Sequence, residues 1–593
     1  MKYAFKIVLL SAFIWLATSC EEDFLVVNDE SSLTDEVFPA NAEDMDLLLN
    51  SVYANTHSLG LYGMSFLMQT IYPLENTQNM GFRSDDGRNQ LITKEANAEN
   101  QYSGEAWRDT WRGIQQANTY LSNVEKIRTQ LDGNPSATAD FNQRVGEAYF
   151  LRAWHYFMVQ TLFGETFIKD GVGGDQMGMP IVTNPALSFE DMRVQRSTVR
   201  ETWDFIISDL MMAETLLSGI NQEFRADEFA TKAFLGRVYV FTEDYANASN
   251  YLLDVIENSG KSLMPFSDYE KMFYEDNFEG DNNSESLFEI TLKAQPGNGW
   301  GSWGPSTGAN AGMVNAPTYL TPQGGRTSTG WGNSFPSDEN LTRFGFNLPA
   351  PTWVDNPEYD SSMDMSMTNF AEMPDPLFLE ESRNLRETQL ADPRLWVYAR
   401  QVFEDSTGVD GSYFRIWPQH ETPWAEIDGL QHAWSFNKFM NKTRSEYNDS
   451  VQNGSNIFWL RLADIYLLYA EALIASGGNQ TIALEYINKV HRRAYGLPTD
   501  AASAIDYQSL SDNTLASDPI LSNNPLRYER YVEFLGEGLW WWDICRWKIG
   551  PEEAAFHGTS SVGDIIWNEK DYALPIPNRE LESNPEMKQN PGY

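Results

Sequence analysis

The sequence predicts a mainly α-helical fold, in which a scaffold of paired helices carries a large, irregular, loop-rich insertion with short strands. Apolar residues recur with helical spacing up to about residue 260 and again from about residue 456. Residues 262–455 are instead rich in Gly, Pro, Asn, Ser and Trp and keep little helical periodicity. An irregular stretch of this length is usually functional or disordered, and its many aromatic residues argue against disorder.

The chain begins with the features of an exported protein. Lys2 and Lys6 precede a short apolar run at residues 7–17, and small residues then lead to Cys20. The run is too short to cross a bilayer as a helix. These features predict a signal peptide over residues 1–19.

The cysteine that follows the small residues predicts a lipid anchor. A cleavage site ending in Cys is similar to a bacterial lipobox, although Leu16 stands four residues before Cys20 instead of the usual three. We therefore predict lipidation of Cys20 and a lipidated tether over residues 20–37. The alternative is an ordinary secretory peptide followed by a chance cysteine.

Residues 38–261 are predicted to form an N-terminal helical scaffold, with amphipathic stretches at 104–131, 138–163 and 198–218. The clearest unit follows them and is a helix pair with tetratricopeptide spacing. It is marked by Leu235, Gly236, Tyr239, Ala248 and Leu252. The small residues Gly236 and Ala248 would let two antiparallel helices approach closely. Stacked pairs of this kind bury the apolar face of each helix on its neighbour.

The insertion, residues 262–455, is predicted to bind the ligand. Its aromatic residues Trp300, Trp303, Tyr319 and Trp331 are interleaved with Gly, Asn, Ser and Thr, and we add Arg326 as a polar candidate. A sugar ring has an apolar C–H face and a polar rim, so an aromatic ring flanked by short polar groups suits it. The alternative is that these Trp rings fill gaps in the scaffold.

Residues 456–593 are predicted to add a C-terminal helical repeat and a terminal segment. Two helical faces are visible, and they are separated by Gly477 and Gly478: Leu462, Ile465, Tyr469 and Ala472, then Ala483, Ile487, Val490 and Ala494. The aromatic stretch at residues 538–547 has the character of a helix. We predict that its rings are core.

Charge and cysteine content exclude some classes of partner. The chain has 84 acidic and 42 basic residues, a formal net charge of −42, and no basic block. Because nucleic-acid binding depends on Lys and Arg that neutralise phosphates, we predict no nucleic-acid partner. Repulsion also favours a neutral ligand over a polyanion. Cys545 is the only cysteine besides Cys20, so a lipidated chain has no pair for an internal disulfide.

No catalytic motif stands out. The sequence contains neither H-E-x-x-H nor G-x-S-x-G, and its six His are scattered. We predict that the protein is not an enzyme and has no cofactor or metal site. A surface glycosidase is an alternative, because two of the many carboxylates could act as a catalytic pair, although no motif singles one out.

The C-terminal part of the chain contains a series of short, distinctive elements. They are Glu529-Arg530, Glu533-Phe534, Gly536-Glu537-Gly538, Asp543, Arg546-Trp547, Leu574-Pro575-Ile576-Pro577, Asn584-Pro585 and Gln589-Asn590-Pro591-Gly592-Tyr593. Two more occur earlier, in Ala391–Leu395 (ADPRL) and in Trp111–Leu121. Together these elements resemble those of the SusD-like (RagB/SusD) outer-membrane lipoproteins of Bacteroidetes. Trp540 is a departure, because the family often has Arg there. The resemblance covers essentially the whole mature chain.

This resemblance implies an extracellular, lipid-anchored protein that binds a glycan, or in some branches peptides, and delivers it to a SusC-like TonB-dependent transporter. It also implies that the acidic residues after Cys20 direct the protein to the outer face of the membrane. Family members place ligand contacts in the loop before the Trp111 helix, which adds Arg83, Asp85 and Asp86 as candidates. A purely structural adaptor of the transport complex is a further alternative.

Overall fold

The computed structural model describes fifteen ranges that begin at Phe38: residues 38–63, 78–79, 86–131, 133–186, 188–273, 281–292, 318–320, 326–328, 334–362, 371–401, 404–409, 412–415, 434–439, 455–560 and 563–593. Helices dominate these ranges and the strands are short, which confirms the predicted mainly α-helical fold class. None of the helices in them combines the length and the apolar character needed to cross a membrane. The domain boundaries given above stay predictions.

The N-terminal scaffold is a stack of helices in which chain neighbours pack on one another. The helices are α1 Ala42–Asn55, α2 Asp86–Thr93, α3 Gln101–Ser122, α4 Val124–Arg128, α5 Pro135–Phe163, α6 Val199–Leu217, α7 Glu228–Phe241 and α8 Tyr245–Asn258, with a π-helical turn at Leu59–Gly63 and a 3₁₀ turn at Thr129–Leu131. Helix α5 contacts α1, α3 and α6, and α7 packs against α8.

Local sequence signals start these helices. Thr198 and Glu201 form a reciprocal capping box before α6, and the Asn134 side chain caps α5, which has Pro135 in its first turn. In the predicted tetratricopeptide pair, a β-carbon on Gly236 of α7 would lie 2.5 Å from Leu252 Cδ2 of α8. A β-carbon at this position would have to displace the Leu252 side chain, so the close helix pair expected from the sequence is confirmed.

The insertion adds short helices and two-stranded sheets. Its helices are α9 Phe266–Tyr269, α10 Asp338–Arg343, α11 Pro376–Glu387 and α12 Leu395–Tyr398, with a 3₁₀ turn at Glu270–Phe273. The strands, from the first part of the chain to the last, are β1 Gln78–Asn79, β2 Ser286–Ile290, β3 Thr318–Leu320, β4 Arg326–Ser328, β5 Ser334–Phe335, β6 Trp353–Asp355, β7 Glu372–Pro374, β8 Ala399–Arg400, β9 Ser406–Val409, β10 Ser412–Arg415, β11 Ser435–Phe436, β12 Ile457–Arg461, β13 Thr559–Ser560 and β14 Gly563–Asp564.

Each strand pairs antiparallel with one partner: β1 with β5, β2 with β12, β3 with β4, β6 with β7, β8 with β11, β9 with β10 and β13 with β14. The β2–β12 pair aligns Ile290 with Ile457 and Ser286 with Arg461. All residues of both strands are buried. This pair therefore joins the start of the insertion to the C-terminal helices.

The C-terminal part is again helical, with α13 Leu462–Ala475, α14 Gln480–Ala494, α15 Pro525–Phe534, α16 Leu539–Trp547, α17 Gly550–His557, α18 Asn578–Ser583 and a 3₁₀ turn at Glu569–Tyr572. Gly477, with a φ of +67°, separates α13 from α14 as predicted. Trp540, Trp541 and Trp542 of α16 are at most 2% exposed, which confirms that this aromatic stretch is core.

A buried ionic cluster connects the insertion to the helical repeats. Arg461, at the end of β12, lies 2.7 Å from Glu533 Oε1 and 2.9 Å from Glu537 Oε1, measured from its Nη1 and Nη2 atoms. Arg394 of the insertion lies 2.8 Å from Glu529 Oε2. We call the following buried residues the ionic cluster: Glu285, Asp392, Arg394, Lys438, Arg461, His491, Arg493, Glu529, Glu533 and Glu537.

Candidate functional site

The strand pair β1–β5 brings together the two parts of the chain that carry the candidate ligand residues. Gln78 pairs with Phe335 and Asn79 pairs with Ser334. Arg83 follows β1 by four residues, and Trp331 precedes β5 by three residues. Two described segments that are remote in sequence are therefore adjacent in the fold.

A second strand pair carries two more candidates. In the ladder between β3 and β4, Tyr319 pairs with Thr327, and Leu320 pairs with Arg326. Tyr319 and Arg326 thus occupy neighbouring rungs of one hairpin, which ends six residues before β5. The structure brings these two predicted residues close together along the backbone.

Asp86 is the only one of the three candidates before the Trp111 helix that falls within the described residues. It is the first residue of α2 and is exposed, and Gln90 Nε2 donates a hydrogen bond of 2.8 Å to its Oδ2 atom. Trp300, Trp303, Trp331, Arg83 and Asp85 lie outside the described residues, as does Cys20. Their roles stay predictions.

Buried aromatic rings pack next to β11. The Phe344 and Tyr398 rings stack at 5.7 Å, and the Phe346 ring meets the Trp434 ring edge-to-face at 4.9 Å. Trp434 directly precedes β11, which lies beside β5 and pairs with β8. These four rings are buried and therefore belong to the core.

The ionic cluster fixes the position of β11 from the other side. Lys438 Nζ donates to the Glu533 carbonyl oxygen at 3.0 Å and to Glu537 Oε1 at 2.8 Å. Burial lowers the pKa of Lys438, and the Glu537 carboxylate opposes that shift. The lysine therefore acts as a buried anchor for the end of β11.

The ionic cluster was not predicted from the sequence, although several of its residues belong to the elements that resemble the SusD-like family. Asp392 and Arg394 come from the ADPRL element, while Glu529, Glu533 and Glu537 come from the C-terminal motif. Charged residues in a helix usually indicate a solvated face. The available signal was that acids recur at residues 529, 533 and 537 among aromatic residues, but their cationic partners lie far away in the sequence.

Within the ranges that the structure describes, no group of three or more His, Cys, Asp or Glu side chains is placed to hold a metal ion. The candidates that the structure describes, Asp86, Tyr319 and Arg326, have side chains of the kinds that hydrogen-bond to or stack on a ligand.

The chain belongs to the SusD family. The family profile described as "SusD family" matches residues 284–593, and a second, described as "Starch-binding associating with outer membrane", matches residues 23–240. Both matches agree with the resemblance seen in the sequence.

Similar proteins span nearly the whole chain. The SusD-like protein P38 of Formosa agariphila is 25% identical over 591 residues, which cover 97% of this chain and 96% of that protein. The starch-binding protein SusD of Bacteroides thetaiotaomicron is 26% identical over 467 residues, which cover 75% of this chain and 72% of that protein.

Solved structures share the fold. A SusD-like protein of Bacteroides fragilis superposes with a TM-score of 0.65 at 19% identity and covers 93% of this chain and 97% of its own. A laminarin-binding SusD-like protein superposes with a TM-score of 0.63 at 22% identity, covering 93% of this chain and 100% of its own. The helical scaffold with its loop-rich insertion is thus the SusD fold.

Proposed function

We propose that this protein is a cell-surface glycan-binding lipoprotein that captures an oligosaccharide or polysaccharide and delivers it to a SusC-like TonB-dependent transporter. The observation that carries the proposal is the β1–β5 pair, since it holds a strand that ends four residues before Arg83 beside a strand that begins three residues after Trp331. Loops held on a rigid scaffold are the usual location of binding residues.

The ligand class is a neutral glycan. The net charge of −42 disfavours polyanions, and starch and laminarin, the ligands in the names of two relatives, are both neutral glucans. Trp300, Trp303 and Trp331 would stack on sugar faces, while Tyr319, Arg326, Arg83, Asp85 and Asp86 would bond to the hydroxyl groups. The protein would bind without catalysis, since its sequence holds no catalytic motif.

The test removes the three Trp rings. We expect the triple Trp300→Ala, Trp303→Ala, Trp331→Ala variant to lose about 1 to 3 kcal/mol of glucan-binding free energy for each ring that stacks on the sugar, by analogy with bases stacked on aromatic side chains. Isothermal titration of starch and laminarin oligosaccharides into the purified mature chain measures the loss.

Trp434→Ala is unsuitable as a control because that ring is buried in the core. Phe189→Ala is suitable, because Phe189 is 81% exposed and lies in another part of the scaffold. Unchanged glucan binding by the folded triple variant would contradict the loop assignment. Tighter binding to alginate or to peptides than to glucans would contradict the ligand class, and release of shortened sugars would indicate a glycosidase.

A further inference from the structure

A cleft lies between turns of the helical scaffold and strand β2. It has a volume of about 320 Å³ and opens between three turns, at residues 221–225, 259–261 and 282–284, above β2. A second hollow of about 290 Å³ adjoins it, and both are lined by Phe224, Arg225 and Glu289. We call the two together the Phe224 cleft. None of its residues is among the predicted ligand contacts.

All three turns contain left-handed backbone. The φ angles are 61° at Phe224, 70° at Gly260 and 45° at Asn282. Glycine adopts this conformation freely and asparagine tolerates it, but a bulky aromatic residue does so only under strain. Such strain persists where the surrounding structure enforces it, and it is concentrated at functional sites.

The residues beside Phe224 enforce its conformation. Gln222 Nε2 donates to the Ala226 carbonyl oxygen at 2.6 Å, and Arg225 Nε donates to Glu147 Oε2 at 2.6 Å. The Ala226 amide also donates to the Tyr53 hydroxyl oxygen at 3.1 Å. The turn is therefore rigid, yet Phe224 itself is 40% exposed. A folding role would bury this ring, whereas here a fixed turn presents it to solvent.

Polar groups surround the ring. Glu223 and Lys261 line the cleft, and Glu289 is only 4% exposed. Glu289 accepts hydrogen bonds of 2.7 Å from the Asn282 amide and from Asn456 Nδ2. Burial raises the pKa of Glu289 to about 7, against the lowering effect of these hydrogen bonds, so its carboxyl group can donate or accept near neutral pH.

We propose that the Phe224 cleft is a second sugar-binding site, which takes a neutral sugar unit with its C–H face against the Phe224 ring and its hydroxyl groups against Glu223, Lys261 and Glu289. This inference rests on the proposed glycan-binding function. Glu223 and Asp227, which also line the cleft, disfavour an anionic sugar. A neutral pyranose, with one apolar face and hydroxyl groups that both donate and accept, fits the ring and the polar groups around it.

The test uses the purified mature chain with starch and laminarin oligosaccharides as probes. Phe224→Ala is expected to weaken binding roughly 5- to 150-fold at this site, the range given by loss of one stacking ring. The site is isolated by repeating the titration in the triple Trp variant, where the residual binding should disappear when Phe224→Ala is added. Phe189→Ala is the control, since it removes an exposed Phe ring from another part of the scaffold.

Phe224→Gly separates a binding role from a folding role. Glycine adopts a φ of 61° without strain, so this variant is expected to melt at a temperature equal to or above that of the wild type while binding as weakly as Phe224→Ala. If either Phe224 variant binds glucan with full affinity, both in the wild-type chain and in the triple Trp variant, the second site is wrong, while the proposed function of the protein is unaffected. If the wild-type chain binds no glucan at all, the proposed function fails together with it.

Discussion

Gly113 on helix α3 makes a close packing contact that depends on one missing atom. A β-carbon at this position would overlap the His155 ring of α5. His155 is completely buried, and burial lowers its pKa to about 3, so the ring is neutral at physiological pH. At this point of the contact between α3 and α5, the neutral imidazole ring of His155 packs directly on the backbone of Gly113.

We expect Gly113→Ala to destabilise the fold by about 1 to 3 kcal/mol, because the added methyl group overpacks a filled interface. Gly104 lies on the same helix with no atom within 4 Å of its would-be β-carbon. Gly104→Ala should therefore stabilise the helix by up to about 1 kcal/mol through helix propensity. Urea unfolding followed by circular dichroism measures both values. Changes of the same sign in the free energy of unfolding of the two variants would contradict this packing.

At the scale of an element, helix α15 and the turn after it supply three acids to the ionic cluster: Glu529 and Glu533 from the helix and Glu537 from the turn. Glu529 lies 2.8 Å from Arg394 Nη1 and 2.8 Å from His491 Nδ1, and it accepts from the Tyr507 hydroxyl at 3.0 Å. Burial alone would raise the pKa of Glu529, but Arg394 and His491 outweigh it and lower the pKa to about 2. The carboxylate thus stays charged inside the protein.

This shift predicts acid sensitivity. A carboxyl group whose pKa is lowered on folding adds stability above its ordinary pKa, near 4.5, and loses it as the pH falls towards 2. Glu529→Gln should therefore cost about 3 to 5 kcal/mol at pH 7, because it removes a buried carboxylate that faces Arg394 in the ionic cluster. Its stability should also fall less than that of the wild type between pH 5 and pH 2.5.

Urea midpoints measured across this pH range test the prediction. Glu190→Gln is the control, because Glu190 forms an exposed pair with Arg193 that is worth at most about 1 kcal/mol. Parallel pH curves for the wild type and Glu529→Gln would show that Glu529 does not carry the effect.

The elements themselves could be predicted from the sequence where their signal is local. Helical periodicity gave α5 to α8, α13 and α14, and the Gly477 break was correctly assigned because a turn needs only its own residues. The strand pairs and the ionic cluster could not be predicted in the same way. Asn79 and Ser334, or Arg461 and Glu533, are far apart in sequence, and no periodicity encodes their contact. The candidate site depends on such contacts, so only its composition was visible.

At the scale of the whole molecule, capture of a glycan is useful only if a transporter is close. An anchor at Cys20 would keep the protein in the plane of the membrane and raise its effective concentration near a SusC-like barrel. In this proposal the scaffold acts as a lid, and a ligand that contacts both partners must stabilise the closed state more than the open one. The lid can then shift between capture and delivery.

We expect the full chain, tagged and extracted in mild detergent, to copurify with a TonB-dependent barrel and to incorporate labelled palmitate. The Cys20→Ala variant should fold, but it should incorporate no labelled palmitate and should be absent from the membrane fraction. Cys545→Ala is the control, because Cys545 is completely buried and should leave the label in place. Label retained in Cys20→Ala would contradict the anchor. A wild-type chain that purifies alone, with glycan uptake intact after deletion of the transporter, would contradict the lid.

The strand pairs have a consequence for how such proteins diversify. Just after β2, the Leu292 amide donates a hydrogen bond of 2.8 Å to Asn456 Oδ1. Ser334 of β5 pairs with Asn79 of β1. The residues on either side of the Trp-rich segment, 293–333, are therefore paired with other parts of the chain. The entropic cost of closing a longer connection grows slowly, by only about 0.6 kcal/mol for each doubling of its length. Insertions and deletions between these two fixed points are therefore inexpensive in stability. The sequence and length of the proposed recognition surface can therefore change during evolution while the helices and the ionic cluster stay unchanged.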